Sequence, residues 1–253
     1  MKSACIVRAI LVRLVLYGIP VIFLIGFLLS AHPWGHHDHD LVRNKIKLEM
    51  IQLVADLEDV HTKLGHGQYP PSSTDDPEAV KQFLAKAFPD YHDGLPEKYK
   101  NLDAASSLVF WLGGMTDKDG KMIGFSADPK NPFDTTNESR IGPFFDFDPK
   151  RLRNNGGVPV YLPPNEKSQG DPYVYFRPDA KGEYHGAWKN CQPCRDSGTG
   201  AWICPKSYQL FSPGLDGKYG SGVQYPSGTD YDAQRQDDMS NFTMGATLGD
   251  DMP

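Results

Sequence analysis

Ser207-Tyr-Gln-Leu-Phe-Ser-Pro-Gly-Leu-Asp-Gly-Lys-Tyr-Gly220, answered downstream by Gln236-Asp-Asp-Met-Ser-Asn-Phe242, is the part of this chain from which its fold is read. Residues 208–211 are a short apolar run with the pattern of a strand. The strand runs into a glycine-rich acidic loop, and a second acidic knot follows. From Ser207 to the end there are seven Asp against two basic residues, Lys218 and Arg235. Oxygen donors on a loop rich in glycine suit a hard cation such as calcium, which takes six to eight oxygens and accepts backbone carbonyls among them. The competing reading is a polar, solvated tail.

The same residues resemble the C-terminal signature of the major pseudopilins of type II secretion systems. The resemblance implies a strand followed by a calcium-holding loop. Asp216, Asp237 and Asp238 would be side-chain ligands, with carbonyls near Pro213 and in the 218–221 turn completing the shell. The stretch between Asp216 and Asp237 is longer here than in typical members, so the loop must bulge or the ligands must differ. Two further matches extend the likeness. Gly67-Gln-Tyr-Pro-Pro71 resembles the Gly-x-Tyr-Pro turn that ends the family's long helix, and Pro172-Tyr-Val-Tyr-Phe176 resembles its Pro-Tyr-x-Tyr strand. The second also reads as a strand from its alternating aromatic and branched residues alone.

Toward the N-terminus, residues 9–31 are almost wholly apolar, with Arg13 the only charge. The charge-free run 14–31 would reach about 27 Å as a helix, close to the hydrocarbon thickness of a bilayer. Lys2, Arg8 and Arg13 precede it. The positive-inside rule therefore predicts a single-pass anchor in the cytoplasmic membrane, with the N-terminus inside and the rest outside, in the periplasm. The Gly-Phe junction of a prepilin leader and the Glu that follows it within the apolar segment have no counterpart; no acidic residue precedes Asp38. Residues 32–40 carry four His and two Asp and read as a juxtamembrane linker or a transition-metal chelator.

An amphipathic helix is predicted over 41–64. Ile46, Met50, Leu53, Leu57, Val60 and Leu64 step by four, three, four, three and four, which draws one stripe, and Gly65 to Gly67 supply the stop. Shorter helices are expected at 77–88 and 102–112, ordered loops over 126–155, and a turn at Asp117-Lys-Asp-Gly120. Cys191, Cys194 and Cys204 leave two readings open. Outside the cytoplasm one disulfide among them is the first expectation; with His185 they could instead make a tetrahedral zinc site.

No nucleophile motif, phosphate loop or basic tract stands out, and a net charge of −6 disfavours nucleic acid as a partner. The expected architecture is α+β and pilin-like: a long N-terminal helix packed on an antiparallel sheet, preceded by one transmembrane helix, with 1–31 the anchor, 32–40 the linker and 41–253 the exposed domain. The expected function is that of a non-enzymatic pseudopilin-like component of a type II secretion or related filament apparatus. Its partners would be other pseudopilins or secretion proteins. The alternative is a tethered binding module on a pilin-type scaffold that does not polymerise.

Overall fold

The structure, a computed structural model, describes residues 37–164, 170–226, 230–243 and 246–251. The predicted anchor and the first part of the His-rich linker lie outside the described residues. Among the described residues no helix is long and apolar enough to cross a membrane.

The helix predicted from the 3–4 spacing is present as α1 (His37–Asp59) and continues as a wide π-helical turn, Val60–Leu64. It begins four residues before the expected boundary. Pro33 and Gly35 are the last helix breakers before α1, and 37–40, the end of the expected linker, are helical. All six stripe residues are at most 4% exposed. The turn closes through Gly65 N–H donating to the Val60 carbonyl at 2.7 Å. Gly65 is required by crowding: a Cβ there would lie 2.0 Å from the Gln68 carbonyl oxygen.

The chain after α1 wraps back over it. Tyr69 stacks on His61 with ring centroids 4.1 Å apart, and its hydroxyl donates to Glu58 Oε1 at 2.8 Å. Pro70 and Pro71 expose carbonyls that Tyr175 Oη (2.8 Å) and Trp111 Nε1 (3.0 Å) satisfy from the core. The Gly-Gln-Tyr-Pro-Pro segment is thus bolted to both the sheet and the middle of the chain.

Two helices follow. In α2 (Pro77–Ala87), Asp76 caps the start by accepting from Ala79 N–H at 3.0 Å. In α3 (Ser106–Gly113) every residue is buried. Its start is later than the expected 102, because Asp103 Oδ1 folds residues 103–106 into a cap, accepting from Ser106 N–H at 2.8 Å. Strands β1 (Met115–Thr116), β2 (Met122–Ser126) and β3 (Arg140–Ile141) form an antiparallel sheet in that order. The Asp117 segment is the turn between β1 and β2, with Asp117 Oδ1 taking the amides of Asp119 and Lys121, both at 2.9 Å. Strand β4 (Leu152–Asn155) pairs with β5 (Val158–Tyr161) in a hairpin. The 126–155 stretch therefore holds strand edges as well as loops.

The central sheet carries the region of interest. Strands β6 (Val174–Phe176), β8 (Gln209–Ser212) and β10 (Met239–Ser240) run antiparallel in the order β10-β8-β6, with Tyr175 opposite Leu210 and Ser212 opposite Met239. Alternation sorts the side chains. Tyr173, Tyr175, Leu210 and Met239 join the cluster built on the α1 stripe, whereas Val174, Phe176 and Phe211 join a second cluster with Cys191, Cys194, Tyr219 and Phe242. Both faces are covered, so these strands are buried throughout. Glu49 fastens α1 to this layer: its carboxylate accepts from Tyr173 Oη (2.7 Å) and Arg151 Nη1 (2.8 Å), with Arg151 Nη2 also in contact. The molecule is α+β, with antiparallel sheets and one two-residue parallel pair, β7 (Arg195–Asp196) with β9 (Gln224–Tyr225).

Candidate functional site

Between β8 and β10 the chain makes the acidic excursion singled out from sequence, and it ends in a short helix, α4 (Ala233–Asp237). Pro213 is buried at its start. Gly214 follows with φ of +63°, and a Cβ there would sit 2.1 Å from the Asp237 carbonyl oxygen. That close approach lets Asp237 Oδ2 accept the amides of Leu215 (2.6 Å) and Asp216 (2.9 Å). Its other oxygen lies 3.8 Å from Arg43 on α1. Asp216 Oδ1 in turn takes the Lys218 amide at 2.8 Å. Asp238 is fully buried, and its Oδ2 accepts from Gly220 N–H (3.3 Å) and Arg235 Nη1 (3.2 Å). Asp238 Oδ1 is buried with no hydrogen-bond partner.

The three predicted ligands are thus brought to one loop, with Asp237 and Asp238 on either side of residues 214–220. The loop has a counter-charge of its own. Arg235 is fully buried, and its guanidinium donates to Asp238, to the Gln192 carbonyl (2.9 Å) and to Cys194 Sγ (3.0 Å), with Cys191 Sγ at 3.9 Å. Burial pushes the Asp238 carboxyl well above the usual carboxylate range, with Arg235 pulling the other way and the Asp216 charge adding to the rise. A cation beside Asp238 Oδ1 would meet an oxygen that otherwise has nothing to accept. On that point the donor chemistry fits calcium, although among the described residues no group of three or more His, Cys, Asp and Glu side chains is arranged to hold a metal ion.

The cysteines sit in the second core. Cys191, Cys194 and Cys204 are all buried as free thiols. Arg235 comes up against both members of the Cys191–Cys194 pair. His185, the fourth candidate for a zinc set, is 72% exposed and pairs with Asp179 Oδ2 at 3.1 Å, so the described geometry does not bring it to the buried thiols. Burial raises both Cys191 and Cys194 above the usual thiol range, and Arg235 pulls the other way.

Arg235 is the residue that reading the sequence missed. Its one signal is spacing, three residues before Asp238 on a short helix. Asp230 and Asp232 are also structural. Asp232 caps α4 by accepting from Arg235 N–H (2.7 Å) and holds Ser221 N–H (2.9 Å), and Asp230 holds the amides of Val223 and Gln224. Within the added length between Asp216 and Asp237, β9 pairs with β7. Compared with family models, with curated proteins and with solved structures, the chain finds no match.

Proposed function

We propose that this chain is a non-enzymatic, membrane-anchored pseudopilin-like component of a type II secretion or related filament apparatus, with its C-terminal loop stabilised by calcium. The arrangement of α1 on the β10-β8-β6 sheet, with the acidic loop leaving β8, agrees with a pilin-like head. The observation that carries the calcium reading is Asp238 Oδ1, buried beside Asp216 and without a hydrogen bond. Asp216, Asp237 and Asp238 with the Pro213 carbonyl would hold the ion. The apolar segment 14–31 would tether the domain on the periplasmic side of the cytoplasmic membrane, where pseudopilins or secretion proteins would be its partners.

A second reading draws on Arg235, which already offsets the Asp238 charge at 3.2 Å. With an internal guanidinium in place, the loop closes without an ion, as suits a tethered binding module that does not polymerise. Thermal unfolding separates the two. An ion at a hundred times its dissociation constant stabilises the folded state by about 2.7 kcal/mol, a rise of about 5–10 °C in midpoint for a chain of this size. An unchanged midpoint between millimolar calcium and chelator would remove the calcium reading.

A further inference from the structure

The largest exposed apolar side chains among the described residues all belong to α1: Leu41 is 55%, Leu48 66% and Ile51 55% exposed. They form a second stripe. Leu41, Asn44, Leu48, Ile51 and Ala55 step by three, four, three and four, and helical geometry places them on the side opposite the buried Ile46–Leu57 stripe. This spacing is that of an a/d seam, with Leu41, Leu48 and Ala55 at a and Asn44 and Ile51 at d. The seam spans about 22 Å along the helix. Two heptads would not hold isolated peptides together, but packing on the sheet has already formed α1, so pairing carries no cost of helix nucleation.

We infer that this ridge is a self-association surface, and that it packs against the same ridge of a second copy as a parallel two-stranded coiled coil. The flanking charges select both occupant and direction. In a parallel pair each g residue faces the e residue five positions on in its partner, so Asp40 of each chain meets Lys45 of the other, twice over, and Lys47 meets the neutral Gln52. In an antiparallel pair g faces g, which sets Lys47 against Lys47 and forms neither Asp40–Lys45 pair. Identical d residues meet in the parallel arrangement, so the two Asn44 amides supply donor and acceptor to one another. The two domains then lie on opposite outer sides of the pair. The inference does not depend on the calcium reading, which the melts described above test separately.

Cysteine crosslinking of the full chain in native membranes, in a Cys5→Ser background with a mild copper–phenanthroline oxidant, tests it. Asn44→Cys and Ala55→Cys should each give covalent dimers of the chain. Adding the exposed-site substitution Leu48→Asp should reduce dimer yield by about tenfold or more, with an unchanged thermal midpoint. Lys45→Asp alone should reduce it, and Asp40→Lys with Lys45→Asp should restore it. Absence of homodimers from both cysteine variants would overturn the inference, as would yields that Leu48→Asp leaves unchanged. Crosslinking only between Leu41→Cys and Ile51→Cys chains, or failure of the charge swap to restore, would overturn the parallel arrangement.

Discussion

Replacing Arg235 by Met strips the buried cluster of its positive charge while keeping much of the side-chain volume. In the native protein the guanidinium donates to Asp238 Oδ2 at 3.2 Å, to the Gln192 carbonyl at 2.9 Å and to Cys194 Sγ at 3.0 Å, and it lies under the Phe211 ring with its carbon 5.0 Å from the centroid. Without it Asp238, with zero exposure, keeps only the Gly220 amide. Orphaning one member of a buried pair costs about 3–5 kcal/mol. Arg235 Nε and Asp238 Oδ1 are already without partners, so the native pair is imperfect and the lower figure, about 3 kcal/mol, is expected. In a chain of this size that corresponds to a midpoint about 6–12 °C lower. Equilibrium urea denaturation followed by circular dichroism supplies the free energy. The double variant Arg235→Met with Asp238→Asn should regain at least half of the loss, because it removes the stranded charge. A single-variant cost below about 1 kcal/mol, or a double variant as unstable as the summed singles, would show that the cluster is not a desolvated ion pair.

Two further outcomes follow from individual positions. Burial raises the Asp56 carboxyl to about 6, partly offset by the bidentate hydrogen bonds from Gln52 Nε2 at 2.9 and 3.0 Å. A carboxyl whose folded value lies above its unfolded value favours the folded state below the unfolded value, 3.8, and that advantage is lost as pH rises through about 6. Asp56→Asn should therefore gain about 1–2 kcal/mol over wild type at pH 7 after allowance for solvent screening, and lose that advantage by pH 4; urea melts across this range report it. Gly214→Ala should cost about 2–3 kcal/mol by the same assay, since its Cβ at φ +63° would lie 2.5 Å from Asp237 Oδ2 as well as against the Asp237 carbonyl.

The long helix was legible because its signal is a period. Six residues at 3–4 spacing predict a packed stripe, and Ile46, Met50, Leu53, Leu57, Val60 and Leu64 are all buried. Strands β6 and β8 were legible as short apolar runs, but which side chain faces which layer was not, since both faces of the sheet are covered and hydrophobicity carries no alternation. At the candidate site the placing of Asp216, Asp237 and Asp238 on one loop was legible, and the buried cation beside Asp238 was not. Arg235 in the sequence looks like one of two stray cations in an acidic tail; only the packing of residues 191–194 against α4 turns it inward. The surroundings of the cysteines were hidden for a related reason. Their spacing invites a bond or a metal, yet the structure gives them an arginine to contact.

The β7–β9 contact has a consequence for how the outer part of the domain moves. Arg195 N–H donates to the Val223 carbonyl at 2.6 Å and Ser197 N–H to the Tyr225 carbonyl at 3.0 Å, tying the excursion that follows β6 to the one that follows β8. Each long span is thereby divided into two short ones, and short spans have far fewer ways to wander. The two excursions are coupled like hands clasped at the fingertips, so a scission in one, at exposed Thr199 for example, would leave both ends in place. What looks in the linear chain like slack inserted into a tight turn works in three dimensions as a strut.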